Sequence, residues 1–217
     1  MSLVATTDAH TPWGRLVLED VPEGTPTRIL DAAMVRFSEQ GITSTTMSQL
    51  AADVGISRVW LYRYFGNRDA VVAALLGREA KRFLDALVAL IDPTTPVTEG
   101  VSAAFEFAVV TLRGHELLQR VLTLEPEVAA PFITSGIGPM LQAAGRVIAS
   151  HLEQGASMGP AEASVVSDAI LRLVMSIVVN NETEIDFDDP AQRGAFIDHI
   201  VPRLVGRPLR RPSRATG

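Results

Sequence analysis

From Pro26 onward the apolar residues of this chain recur at three- and four-residue intervals, and no stretch alternates apolar with polar residues as a half-buried strand does. A chain with that single period has only helices with which to enclose a core, so the expected fold class is all-α. Breakers at Gly41, Gly55, Gly66, Pro93 with Pro96, Gly114, Pro126, Pro131, residues 136–139, Gly159 with Pro160, and Pro190 divide the pattern into about nine helices of ordinary length.

Composition narrows the class further. Hydrophobic residues make up 47% of 217, enough for one fair-sized core or two small ones and far from the composition of a disordered chain. Cysteine is absent, which excludes disulfide frameworks, thiolate zinc sites and cysteine nucleophiles. The N-terminus lacks the basic and apolar regions of a secretory signal, and the apolar stretch 169–179 is too short to span a membrane and carries Arg172. A cytoplasmic protein without membrane contact is expected.

The formal net charge of −6 argues, as an average, against nucleic acid as a partner. Its distribution reverses that reading. Residues 1–24 carry −3 and residues 92–217 carry −5, whereas residues 25–91 carry +2. Within 44–68, Arg58, Arg63 and Arg68 face Asp53 alone.

In that basic segment the first helix opens with Pro26, presents Ile29, Ala33 and Phe37 on one face, and ends at Gly41. Thr46 with Gln49 forms a capping box for a second helix whose buried stripe is Met47, Leu50, Ala51 and Val54, and Gly55 supplies the left-handed residue that stops it. Ser57 is the natural cap of a third helix, and Ile56 is placed to pack against Leu61. With Leu61 and Phe65 facing inward, a rotation of roughly 100° per residue sends Val59 and Arg63 outward, flanked by Trp60 and Tyr62. Two short helices joined by a glycine turn, the second with a basic and aromatic outer face, form a helix-turn-helix suited to a DNA major groove. Arg63 or Arg58 can fork to guanine, the Val59 methyls can meet a thymine methyl, and the Ser57, Tyr62 and Tyr64 hydroxyls can hold phosphates. The competing reading packs Trp60 and Tyr64 against neighbouring helices and leaves the arginines solvated.

The string Ile29-Leu30-Asp31-Ala32-Ala33, Phe37, Gly41, Thr45-Thr46-Met47-Ser48-Gln49-Leu50-Ala51, Gly55-Ile56-Ser57, Leu61-Tyr62-Arg63-Tyr64-Phe65 and Asn67-Arg68-Asp69-Ala70 resembles the DNA-binding domain of the tetracycline-repressor (TetR/AcrR) family of bacterial transcriptional regulators. Composition makes residues 1–24, a mix of Thr, Pro, Gly and acids without an apolar period, an expected flexible arm, and 206–217, with four arginines and no acid, an expected basic disordered tail. The resemblance implies a DNA-binding domain over 25–83 with its helix-turn-helix at 46–65 and a helical ligand-binding and dimerisation domain over 84–205. It implies double-stranded DNA as partner, with Thr46, Ser48, Ser57, Arg58, Val59, Trp60, Tyr62, Arg63, Tyr64 and Arg68 at positions that meet it. The bulky Val59-Trp60 pair departs from the small residues common there in the family.

For the remainder, a long fourth helix is expected from Arg68 to about Ile91, then helices over 97–112, 115–124, 140–152 and 161–179 and a last one from about Pro190, with a loop across 126–139. The resemblance implies a homodimer built on the last two long helices, for which Val166, Ile170, Leu173, Ile177, Phe196, Ile200 and Leu204 are suited. It also implies a pocket for a small-molecule effector, with no cofactor and no metal. Phe105, Val109, Phe132, Met140 and Met175 are candidates for its apolar wall and His115 or His151 for its polar handle. Catalysis is not expected: the four histidines are scattered, no nucleophile or phosphate-loop spacing occurs, and Asp186, Asp188 and Asp189 lack the remaining ligands of a calcium loop. The surviving alternative is a helical module whose third helix binds protein.

Overall fold

A computed structural model describes residues 18, 20–92, 94–156, 158–180 and 182–206. Most of the expected arm, including Trp13, and the basic tail beyond Gly206 lie outside the described residues. Ten α-helices and no strand occur among the described residues: α1 Thr25–Gln40, α2 Met47–Val54, α3 Arg58–Tyr64, α4 Arg68–Leu90, α5 Val97–Arg113, α6 Glu116–Leu124, α7 Pro126–Pro131, α8 Gly138–Gly155, α9 Pro160–Val179 and α10 Pro190–Val205. The segment expected to be a loop across 126–139 is α7 followed by a π-helical turn, Phe132–Gly136. Proline misleads there because Pro126 occupies the first turn of α7, where no intrahelical N–H is required.

The helices gather into two compact units. One holds the described residues up to Ala86 together with Leu112–Ala143; the other holds Leu87–Thr111 and the described residues from Ala144. In the first unit the stripes on α1, α2 and α3 close over one another: Ile29, Leu30, Phe37, Leu50, Leu61 and Phe65 are fully buried, joined by Leu117, Val121, Val128 and Ala129 from α6 and α7. Around this core, polar ties fix α2 against α1. Arg36 forks to both carboxylate oxygens of Asp53, and Arg28 donates to the Val54 carbonyl at 2.9 Å, satisfying an acceptor at the end of α2. Hydrogen bonding from Arg36 holds the Asp53 carboxyl below its ordinary range. The buried Arg78 guanidinium joins α4 to α1 through Asp31 at 2.7 Å and also binds Glu79 at 2.9 Å.

In the second unit Val101, Phe105, Val109, Ile148, Leu152, Ile170, Val174, Ile197 and Val201 form the core. Helices α5 and α8 approach closely because each offers a glycine at the crossing. A Cβ on Gly100 would stand 2.5 Å from Nε2 of His151, and one on Gly155 would stand 2.0 Å from Cγ2 of Val97. Phe187 and Phe196 meet edge-to-face with centroids 5.1 Å apart, and the buried Arg193 guanidinium donates to the Phe187 carbonyl at 2.9 Å.

Three residues expected at a subunit interface belong to this core. Val166, Ile170 and Ile177 are buried within the single chain, each at most 7% exposed, and so offer little surface to a second copy. Because α9 is apolar on most of its circumference, periodicity alone does not distinguish its inner stripe from its outer one. Leu173, Phe196, Ile200 and Leu204 remain half-buried.

Candidate nucleic-acid interface

The geometry of α2 and α3 follows from three local devices. Thr46 caps α2 by accepting the Gln49 N–H, while the Gln49 side chain accepts the Thr46 N–H at 2.8 Å. At the other end Gly55 sits at φ 72° and ψ 34°, where its N–H reaches Ala52 O at 3.1 Å and the Ile56 N–H reaches Ala51 O at 3.0 Å. That pair of bonds reverses the chain while pairing the Ala51 and Ala52 carbonyls, and a glycine adopts the conformation at no steric cost. Ser57 then caps α3, its Oγ accepting the Trp60 N–H at 3.2 Å.

These devices fix which side of α3 faces out. Leu61 and Phe65 are fully buried, whereas Val59 is 79% exposed, Trp60 50% and Tyr62 43%. Thr46, Ser48, Ser57, Arg58 and Arg63 are exposed as well, and Tyr64 is half-buried. The arrangement leaves a valine, two aromatic rings and two arginines on the outside of a seven-residue helix. Solvation of a core does not require such a face.

The side chains on that face organise one another. The Arg63 guanidinium lies 5.1 Å from the centroid of the Trp60 ring, and Trp60 stacks on Tyr64 with centroids 6.2 Å apart and planes 27° apart. Neither Arg58 nor Arg63 is paired with a carboxylate among the described residues. Arg68 opens α4 and is turned toward the same region, with Nη1 donating to the Thr43 carbonyl at 2.9 Å and its closest approach to Asp69 a loose 3.9 Å. Arg58 and Arg63, exposed and without a carboxylate partner among the described residues, suit an external polyanion.

The expected effector residues fall in different units. Phe105, Val109 and the buried His151 belong to the second, where Met175 is half-buried; His115, Phe132 and Met140 belong to the first. His115 caps α6, with Nδ1 accepting the Leu118 N–H at 3.2 Å, and Phe132 packs on the first unit's core. Nε2 of His151 is buried without a hydrogen-bond partner among the described residues. A cavity of about 470 Å³ opens in the second unit between Pro96, Val97, Gly155, Met158, Glu162 and Val205, and none of the expected pocket residues lines it. Sequence reasoning also passed over Glu125, a buried carboxylate that binds the Ile42 and Thr43 backbone N–H groups, because its partners lie more than eighty residues away.

The family model for bacterial regulatory proteins of the tetR family matches residues 29–75, from α1 through α3 into α4. Residues 29–75 therefore form a DNA-binding domain of the tetR type. An HTH-type transcriptional regulator of Mycobacterium tuberculosis is 28% identical to this chain over 182 residues, 81% of this chain and 83% of the relative. An HTH-type transcriptional repressor of Streptomyces coelicolor is 32% identical over 73 residues, 33% of this chain and 36% of that protein. Among solved structures, the Bacillus subtilis transcriptional regulator FadR in complex with stearoyl-CoA superposes with a TM-score of 0.61 at 18% identity, covering 82% of this chain and 97% of that one. The chain is a DNA-binding transcriptional regulator, and the residues matched by the family model include α2 and α3.

Proposed function

We propose that the protein is a cytoplasmic homodimeric repressor that reads a palindromic operator with α3 of each copy and is released by a small apolar or amphipathic effector. The observation that carries this reading is the exposed Val59, Trp60, Tyr62 and Arg63 face of α3, set by the Gly55 turn and free of carboxylate partners among the described residues. One seven-residue helix reads few base pairs, so two half-sites related by a two-fold axis supply the affinity. The outer side of α9 offers a row for the second copy, with Val165 58% exposed, Val179 43% exposed and Leu173 half-buried. Leu173, Phe196, Ile200 and Leu204 stay in the proposed interface; Val165 and Val179 replace Val166, Ile170 and Ile177.

The acyl-CoA bound by the B. subtilis regulator supports an amphipathic ligand class for the effector, with Phe105, Val109, Met175 and His151 as its wall and handle in the second unit. Such a ligand acts by binding the DNA-incompetent state more tightly, and a shift from 1:99 to 99:1 needs a preference of about 5.5 kcal/mol. Light scattering on the purified protein and on a Val165→Asp variant tests the dimer. A two-chain mass that falls to one chain in the variant supports it; a single-chain mass for the unaltered protein contradicts it.

A further inference from the structure

The loop between α1 and α2 is held by a residue distant in sequence. Glu125, where α6 gives way to α7, is only 7% exposed, and its two carboxylate oxygens accept the Ile42 and Thr43 backbone N–H groups at 2.8 Å each. Gly41 makes the approach possible: its φ is +90°, and a Cβ there would stand 3.0 Å from Oε2 of Glu125. Burial pushes the Glu125 carboxyl up, but the Thr43 hydroxyl, the two backbone N–H groups and the Arg120 charge outweigh it and hold the group below its ordinary value. Glu125 is therefore an anion buried against the edge of the helix-turn-helix. The chain of contacts continues outward, because the Thr43 carbonyl accepts Nη1 of Arg68 at 2.9 Å. Thr43 is fixed by Glu125 through its N–H and holds Arg68 through its C=O.

We propose that Glu125 is a positioning residue for DNA binding: by clamping the backbone at Ile42 and Thr43 it fixes the carbonyl that aims Arg68 at a phosphate. The proposal rests on Arg68 as a phosphate contact, part of the DNA-binding reading above. A buried carboxylate that served only to close a surface loop would be an expensive substitute for water, whereas a clamp that must hold one guanidinium in place needs its rigidity. Withdrawal of the α6–α7 corner leaves two backbone N–H groups unpaired and frees the Thr43 carbonyl, so Arg68 loses its aim.

The test uses the full chain and a duplex enriched by the unaltered protein from a random-sequence pool. Glu125→Gln keeps the side-chain volume but replaces one acceptor oxygen with an NH2 group. The folded variant is expected to bind about tenfold more weakly, equivalent to about 1.4 kcal/mol. The slope of log K against log salt should lose about 0.9, the equivalent of one phosphate. The Glu125→Gln, Arg68→Ala double variant should bind no more weakly than Arg68→Ala alone, which general destabilisation would not produce. Glu125→Asp, which keeps both acceptor oxygens and the charge but draws them back by one methylene from the Ile42 and Thr43 N–H groups, should show a smaller loss with the same dependence on Arg68, and it carries the test if Glu125→Gln does not fold. An unchanged salt slope in these variants, or losses that add to that of Arg68→Ala, overturns the clamp while leaving DNA binding intact. An Arg68→Ala variant that binds like the unaltered protein overturns the phosphate role and the clamp together.

Discussion

Arg63 carries its guanidinium 5.1 Å from the centre of the Trp60 ring, and that ring in turn stacks on Tyr64. The indole thus gives a long, otherwise free side chain a preferred direction, which lowers the entropy lost when the guanidinium meets a base. Removing the ring with Trp60→Ala should weaken binding to the preferred duplex by the worth of an exposed cation–π contact, about 0.5–1 kcal/mol. Arg63→Ala should lower discrimination between preferred and scrambled duplexes by about 1–3 kcal/mol. Parallel titrations on the two duplexes check both; equal losses on each would remove Arg63 from base reading.

Arg68 answers differently because its partner is a phosphate, which carries no sequence information. Arg68→Ala should weaken binding to preferred and scrambled duplexes alike, with the salt slope lower by about 1. Titrations at several salt concentrations separate it from Arg63.

Acid should act partly through Glu125. Its carboxyl is held below the ordinary glutamate value of 4.5 when folded, so its contribution to stability is complete above that value and is lost as the pH falls through the lower folded value. Denaturation of the unaltered protein and of Glu125→Gln across pH 3 to 7 should give curves whose gap is constant near neutrality and narrows in acid. A gap that widens in acid would mean the folded carboxyl is raised.

The close crossing of α5 and α8 is equally exposed to test. Gly155→Ala would push a methyl group to 2.0 Å from Cγ2 of Val97, so overpacking should destabilise the protein by about 1–3 kcal/mol. Thermal unfolding measures it, and an unaltered midpoint would mean that the helices separate freely there.

Much of the helix-turn-helix was legible because its determinants are local. The Thr46–Gln49 box, the left-handed Gly55 and the Ser57 cap each act within a few residues, and the outward placement of Val59, Trp60 and Arg63 follows from helical rotation once Leu61 is assigned inward. What escaped depends on distance or on all-round apolarity. The Glu125 clamp joins residues with no sequence signal between them, and α9 offers so many apolar positions that periodicity does not separate its buried Val166, Ile170 and Ile177 from its exposed Val165 and Val179. The helical segment after Pro126 was hidden by prolines whose meaning depends on whether they open a turn or interrupt one.

Engagement of duplex DNA of defined sequence by the α3 face underlies each of the DNA-binding expectations. Titrating the purified protein against the DNA flanking its own gene and a scrambled duplex of equal length, over a range of salt, tests that claim. The predicted result is protection of a palindrome, tighter binding to the flanking duplex, and affinity that falls steeply with salt. Equal, salt-insensitive binding to both duplexes, or none to either, would contradict it.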